Sequence, residues 1–257
     1  MTQPWYVSAF GESYSDLYHH RNESDARQAV DFVGRHPQLA PFLEEPSGRV
    51  LDLCCGSGRH CLTWLEATQG RADLTGLDLS PNLLHEAAAT MRHDNVPLKL
   101  VRGDMRHLPF RDGTFRLVLN LFTSFGYFEA DAENAGVFHE VARVLDRTGY
   151  LLFDHLNPAA LRANLVAESR RQTPSGTWVH ETRRIDEARR RVEKRIEFES
   201  SPPRPSLFES VRFYEPEEVT EMAHQACLEL LSSHGGFDAS PLTKQSPRAL
   251  YVFRKRA

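Results

Sequence analysis

Between residues 49 and 156 short apolar runs alternate with amphipathic helical stretches, and this alternation constrains the fold more than any other feature of the chain. "RVLDLCC" reads as a strand buried on both faces, "SGRHCLTWLEA" as a helix, "ADLTGLDLS" as a second strand. Ser80 is placed to cap the next helix and Pro81 to open it, with Leu83, Leu84, Ala87, Ala88 and Met91 on its apolar side. "PLKLVRGD" and "TFRLVLNLF" are strands three and four, "NAGVFHEVARVL" a helix, "YLLFDHL" strand five. Such alternation implies a doubly wound, mostly parallel α/β sheet with helices on both faces. Ligands of such sheets bind beyond the carboxyl ends of the strands. Asp52, Asp78 and Asp104 all fall at or near such ends.

The flanks read differently. Residues 14 to 46 look helical, with Ala26, Val30 and Val33 on one stripe and Pro37 and Pro41 breaking the run. After Pro158, "TWVHETRRID", "RRVEKRIEFES" and "SLFESVRFYE" alternate polar and apolar residues, which predicts an antiparallel ribbon over roughly 175 to 214. "PEEVTEMAHQA" opens a helix on proline, and "CLELLSSHG" and "RALYVFRKR" supply two closing strands. The expected division is a helical cap or lid over 1–46, a ligand-binding unit over 47–157 and 215–257, and an antiparallel β insertion over 158–214.

Of the 257 residues, 40% are hydrophobic and 26% charged, as in a globular protein, and the formal net charge of −4 gives no overall basic field toward nucleic acid or membrane. The first residues, "MTQPWYVSAFGESY", do not read as a signal peptide, and no run approaches the ~20 apolar residues of a membrane helix. The expected location is the cytoplasm. Cys54, Cys55 and Cys61 crowd one turn while Cys227 stands far away, which suits reduced thiols rather than a disulfide framework or a metal knuckle.

The turn after the first strand, "LDLCCGSGRH", identifies the ligand class. Gly56 and Gly58 permit a sharp turn and close approach of a ligand, and the following helix points free N–H groups toward it. A dinucleotide site wants G-x-G-x-x-G, and Cys61 stands at the third glycine. Asp52 would repel a pyrophosphate and suits a positive centre. Asp78, twenty residues past Gly58, can accept from both hydroxyls of a ribose. Asp104 can accept from an exocyclic amine, with the Met105 N–H meeting a ring nitrogen. Ribose, amine-bearing base and cationic arm together describe S-adenosylmethionine.

With "VLDLCCGSGRH", "LTGLDLS", "VRGDMRHLPF" and "FRLVLNLFTSFGYF" in that order, the chain resembles the class I S-adenosylmethionine-dependent methyltransferases over about residues 45 to 157. Its layout is similar to that of small-molecule N-methyltransferases of the glycine or amino-sugar kind. The resemblance implies a seven-stranded Rossmann-like sheet whose last strand is antiparallel, and a β insertion covering the substrate. It also implies that Asp52 and Gly56 hold the methionine end, Asp78 the ribose, Asp104 with Met105 the adenine, and that Asn120 and Leu121 lie beneath the sulfonium, with Cys54, Gly58 and Leu79 also at the cofactor. The family pattern runs acid-x-Gly-x-Gly-x-Gly, and here Cys54 replaces the first glycine.

Methyl transfer chiefly requires in-line positioning and exclusion of water, so no catalytic residue need stand out. The candidates are His155 as a base and Tyr127, beside Ser124, facing substrate. Tyr14, Tyr18 and Arg21 are expected in a lid over the cofactor, and Tyr214 and Arg212 at the pocket's edge. The expected assembly is a monomer or homodimer. Rival readings are an RNA methyltransferase gripping phosphates with the basic ribbon 183–195, a nicotinamide-dependent oxidoreductase, and a cofactor-binding module without activity.

Overall fold

The computed structural model describes residues 4–11, 13–18, 23–44, 48–93 and 98–256. The chain opens with helices α1 (Trp5–Ala9), α2 (Tyr14–Leu17), α3 (Glu23–Arg35) and α4 (Pro41–Glu44). The stretch expected to be helical from 14 to 46 is thus several short pieces. Helix α3 stops before Pro37, whose ring disfavours helix in the preceding residue, and Pro41 restarts the chain at a first helical position.

Next come β1 (Arg49–Leu53), α5 (Arg59–Ala67), β2 (Asp73–Asp78), α6 (Pro81–His93), β3 (Lys99–Arg102), β4 (Phe115–Asn120), α7 (Asp131–Val144) and β5 (Leu145–His155). Ser80 Oγ accepts the Leu83 N–H at 3.3 Å and so caps α6 as the sequence suggests. Beyond α8 (Pro158–Asn164) lie β6 (Glu168–Gln172), β7 (Trp178–Asp186), β8 (Arg191–Glu199) and β9 (Leu207–Arg212). Then α9 (Pro216–Gln225), β10 (Leu228–His234) and β11 (Ala249–Lys255) follow.

Seven strands form one sheet in the order β10-β11-β5-β4-β1-β2-β3, with β11 antiparallel to β5 and β10 and the other pairs parallel. The remaining four form a separate antiparallel sheet, β6-β7-β8-β9. It starts earlier than the three-stranded ribbon expected from 175: "ESRRQ" carries little strand signal, but its backbone pairs in register with Trp178–Thr182.

Alternation along the central strands builds two cores. Leu51, Leu53, Leu151 and Phe153 pack with Phe138 and Val141 on one face of the sheet. Val50, Leu117, Leu119 and Leu152 pack with Phe32, Val33 and Trp64 on the other. The central strands β1, β2 and β4 are covered on both sides, so their open ends are where polar side chains can collect.

Candidate active site

The carboxyl ends of β1, β2, β3 and β4 open on one cavity of about 210 Å³. Asp52, Asp78 and Asp104 all line it, together with Cys54, Gly56, Leu79, Met105 and Leu121.

Asp52 shares the parity of Val50, but at the strand's end it meets the cavity instead of core. It is 2% exposed, and its Oδ2 accepts the Cys61 thiol at 3.2 Å. Arg59, also in the cavity lining, faces Asp25 instead, at 3.9 Å. Burial therefore pushes the Asp52 carboxyl up to about 6. Arg59 opposes that rise from a distance, but among the described residues Asp52 forms no ion pair, and a buried carboxylate so placed is costly and fits a ligand that brings its own ammonium.

Asp78 is held by backbone. Its Oδ2 accepts the Gly56 N–H and its Oδ1 the Ser80 N–H, each at 2.8 Å, which leaves lone pairs on both oxygens for further donors. Burial raises this carboxyl while those N–H groups oppose the rise. Asp104 is gripped by Arg106, whose Nη2 donates to Oδ2 at 2.7 Å and whose backbone N–H donates to Oδ1 at 2.9 Å. Burial favours the protonated form, but Arg106 overcomes it and holds Asp104 below the usual carboxylate range. Arg106 also reaches Glu133 at 2.5 Å and stacks 4.5 Å above Phe128. The sequence reading missed this clamp, although Arg106 stands two residues on in "GDMR".

Cys54 adopts φ +65°, the left-handed region in which a side chain is strained and glycine is not. The family's glycine preference at this position thus has a local cause, and Cys54 accepts the strain while its Sγ packs 3.7 Å from Met105 Sδ. Gly58 does not line the cavity. At φ +81° it starts α5, and a Cβ there would meet Ala87 Cβ at 3.1 Å, so it serves the close approach of α6.

Above the acids lies an aromatic cover. Tyr6, Phe10, Tyr14 and Tyr18 from the N-terminal segment line the cavity, and Ser124 and Tyr127 meet them from the loop after β4. Phe10 and Tyr127 ring centroids are 5.4 Å apart, Tyr14 and Tyr18 4.7 Å. Ser80 Oγ donates to Phe10 O at 2.7 Å and ties the cover to the start of α6. Tyr6 and Phe10 were not singled out in sequence; the aromatic run "PWYVSAF" was the available signal. Arg21 lies outside the described residues.

Four more of the expected residues stand apart from the cavity. Asn120 is buried beside it, its Nδ2 donating to Leu53 O at 3.3 Å and to Ser124 O at 3.4 Å, so it braces two loops that line the site. His155 ends β5 on the opposite face, buried against Phe125, Phe153 and Tyr214, with Nε2 accepting the Tyr214 N–H at 3.4 Å. Burial drives it down to about 3, so it is neutral at physiological pH and lines neither cavity. Arg212 and the Tyr214 hydroxyl turn to Asp131, at 3.0 and 2.8 Å.

Phe122, which the sequence did not single out, connects two spaces. It and Thr123 have φ +56° and +60°, and its ring lies 4.5 Å from the Arg59 guanidinium and 4.9 Å from that of Arg248. With Phe10, Tyr14, Tyr18 and Tyr127 it lines both the first cavity and a second chamber of about 830 Å³. The far wall of that chamber is the inner face of the β6–β9 sheet. The basic stretch 183–195 is largely engaged. Arg184 meets Glu193 at 2.7 Å, Arg189 meets Glu129 at 2.6 Å and Arg190 meets Glu218 at 2.8 Å. Arg191 is buried and donates to Ser210 O at 2.6 Å and Phe128 O at 3.0 Å.

A sheet of this order, with an acid-lined cavity at the ends of β1 to β3, defines a methyltransferase domain, and residues 50–149 match the family of that description. Over that stretch the chain is similar to the class I S-adenosylmethionine-dependent methyltransferases. It is 35% identical over 138 residues to a phthiotriol/phenolphthiotriol dimycocerosates methyltransferase of Mycobacterium ulcerans, a match covering 54% of this chain and 47% of that protein. The chain therefore spans about half the length of that curated relative. In fold it is similar to the CcbJ methyltransferase of Streptomyces caelestis, with a TM-score of 0.79 and 19% identity over 97% of this chain and 98% of that one. It is also similar to S-adenosylmethionine-bound CalS10, an amino pentose methyltransferase of Micromonospora echinaspora, with a TM-score of 0.66 and 23% identity over 95% and 97% of the two chains.

Proposed function

We propose that this protein transfers the methyl group of S-adenosylmethionine to a small-molecule acceptor held in the second chamber, by in-line displacement. One observation carries the reading: Asp52, Asp78 and Asp104, from three neighbouring strands, line a single cavity that shares five aromatic residues with a larger chamber. The residues suit the cofactor. Asp52 and Gly56 would hold its methionine end, Asp78 its ribose and Asp104 with Met105 its adenine. When bound, S-adenosylmethionine supplies a methyl group on a cationic sulfur. Phe10, Tyr14 and Tyr127 shield the junction of the two spaces from water, and Phe122 shapes the passage between them. Tyr127 is the residue we set against the acceptor. No general base is needed for a neutral amine, and His155 reaches neither space. The fold shared with an amino pentose methyltransferase supports a small acceptor, and the pairing of Arg184, Arg189 and Arg190 with acids weighs against a phosphate-gripping ribbon.

Titration calorimetry with S-adenosylhomocysteine, followed by transfer of labelled methyl into a panel of small amines and alcohols, tests this. Binding in the micromolar range and label in a small molecule are expected. Absence of binding at millimolar concentration overturns the proposal.

A further inference from the structure

The inner face of the β6–β9 sheet is charged where it borders the second chamber. Strand parity turns Ser169 and Arg171, Glu181 and Arg183, Val192 and Lys194, and Glu209 and Val211 to that side. Register sets Arg183 directly opposite Lys194, and Lys194 opposite Glu209. Two cations facing each other across strands is an unfavourable pairing that a sheet ordinarily avoids.

Three cations converge on one carboxylate. Arg171 Nη2 lies 2.9 Å and Lys194 Nζ 3.1 Å from Glu181 Oε1, and Arg183 Nη2 donates to Oε2. The Glu181 side chain is 3% exposed. The second acid, Glu209, accepts the Tyr18 hydroxyl, to which Lys194 donates at 2.9 Å. Among the described residues no further acid lines the chamber, so its wall carries three positive groups against two negative ones. Arg171 Nη1 is buried without a hydrogen-bond partner. A surplus cation in a shielded space is expensive unless something neutralises it.

We propose that the second chamber takes a methyl acceptor bearing a carboxylate, seated against Lys194, Arg171 and Arg183. This rests on reading the chamber as the acceptor's place. The carboxylate completes the charge balance that the wall leaves open, while Leu161, Leu165 and Val211 offer apolar surface to the rest of the molecule.

The test uses the full chain saturated with S-adenosylhomocysteine and three probes of one shape: benzoate, benzamide and benzylamine. Benzoate is expected to bind about tenfold more tightly than benzamide, the scale of one charge-assisted contact. Lys194→Met should erase that preference. Glu181→Gln, which adds a net positive charge to the wall, should widen it. S-adenosylhomocysteine affinity should stay unchanged in both variants. If wild-type protein binds S-adenosylhomocysteine but holds benzoate no better than benzamide, or prefers benzylamine, this proposal falls alone. If S-adenosylhomocysteine itself does not bind, the cofactor reading falls and takes this one with it. Should Lys194→Met fail to fold, the wild-type comparison and Glu181→Gln still decide.

Discussion

Asp154 Oδ2 accepts the Phe122 N–H at 2.9 Å, and the same oxygen takes Arg248 Nη1 at 2.7 Å. This carboxylate, 1% exposed at the end of β5, thereby fixes the turn in which Phe122 and Thr123 hold left-handed backbone angles. Two consecutive non-glycine residues in that region are strained by about 1–3 kcal/mol each and persist only where surrounding contacts enforce them. Here the strain delivers the Phe122 ring to the boundary between the two spaces.

Replacing Asp154 with Asn should let that turn relax. Methyl transfer is expected to fall about 100-fold, the scale of a displacement near 1 Å at a reacting site. S-adenosylhomocysteine affinity should change far less, since Asp52, Asp78 and Asp104 are untouched. Single-turnover kinetics beside calorimetry separate the two. An equal loss of both would contradict the positioning role.

Asp52 links binding to pH. Its carboxyl lies at about 6, above the ordinary 3.8, because burial disfavours the charge. A raised carboxyl contributes stability fully below the ordinary value and loses it as pH rises through the folded one. The ligand-free protein should therefore lose stability from this group between about pH 4 and 6, and Asp52→Asn should be more stable than wild type at pH 8 by about 1–3 kcal/mol, but not at pH 4. The same substitution should weaken S-adenosylhomocysteine about 10- to 100-fold. Thermal melts at the two pH values, with and without that ligand, test both signs.

Gly126 sits at φ +84°, and a Cβ there would lie 2.1 Å from the Arg212 carbonyl oxygen. Its own carbonyl accepts the Arg212 N–H at 2.7 Å, which ties the loop bearing Ser124 and Tyr127 to the end of β9. Gly126→Ala should cost about 2–4 kcal/mol, read as a lower urea midpoint with unchanged slope. An unshifted midpoint would mean the contact is not kept in solution.

His155 is neutral and enclosed, with burial holding it at about 3. His155→Gln should lower stability yet leave the pH dependence of turnover in place. Disappearance of a limb near pH 6 to 7 in that variant would restore His155 as a base.

Much of this could be read from residue order. The alternation over 49–156, the acids at three strand ends and the glycine-bearing turn are local signals, because strand parity, helix period and turn chemistry act within a few residues. Local signals also misdirect. In "FDHLNP" the histidine drew attention, whereas its neighbour Asp154 supports the site. Successive strand residues face opposite sides, and only the packed layers decide that Asp154 goes with Leu152 toward α3 and α5 while His155 goes with Phe153 toward α7.

By itself, then, the sequence determined a doubly wound sheet and the acids and glycines gathered at its rim. Tertiary structure alone decided which aromatics cover that rim, that Arg106 clamps Asp104, and that Arg171, Arg183 and Lys194 meet on Glu181. The reason is range: helix and strand periods are set by neighbours in the chain, whereas these encounters join residues brought together by register and by the docking of separate layers.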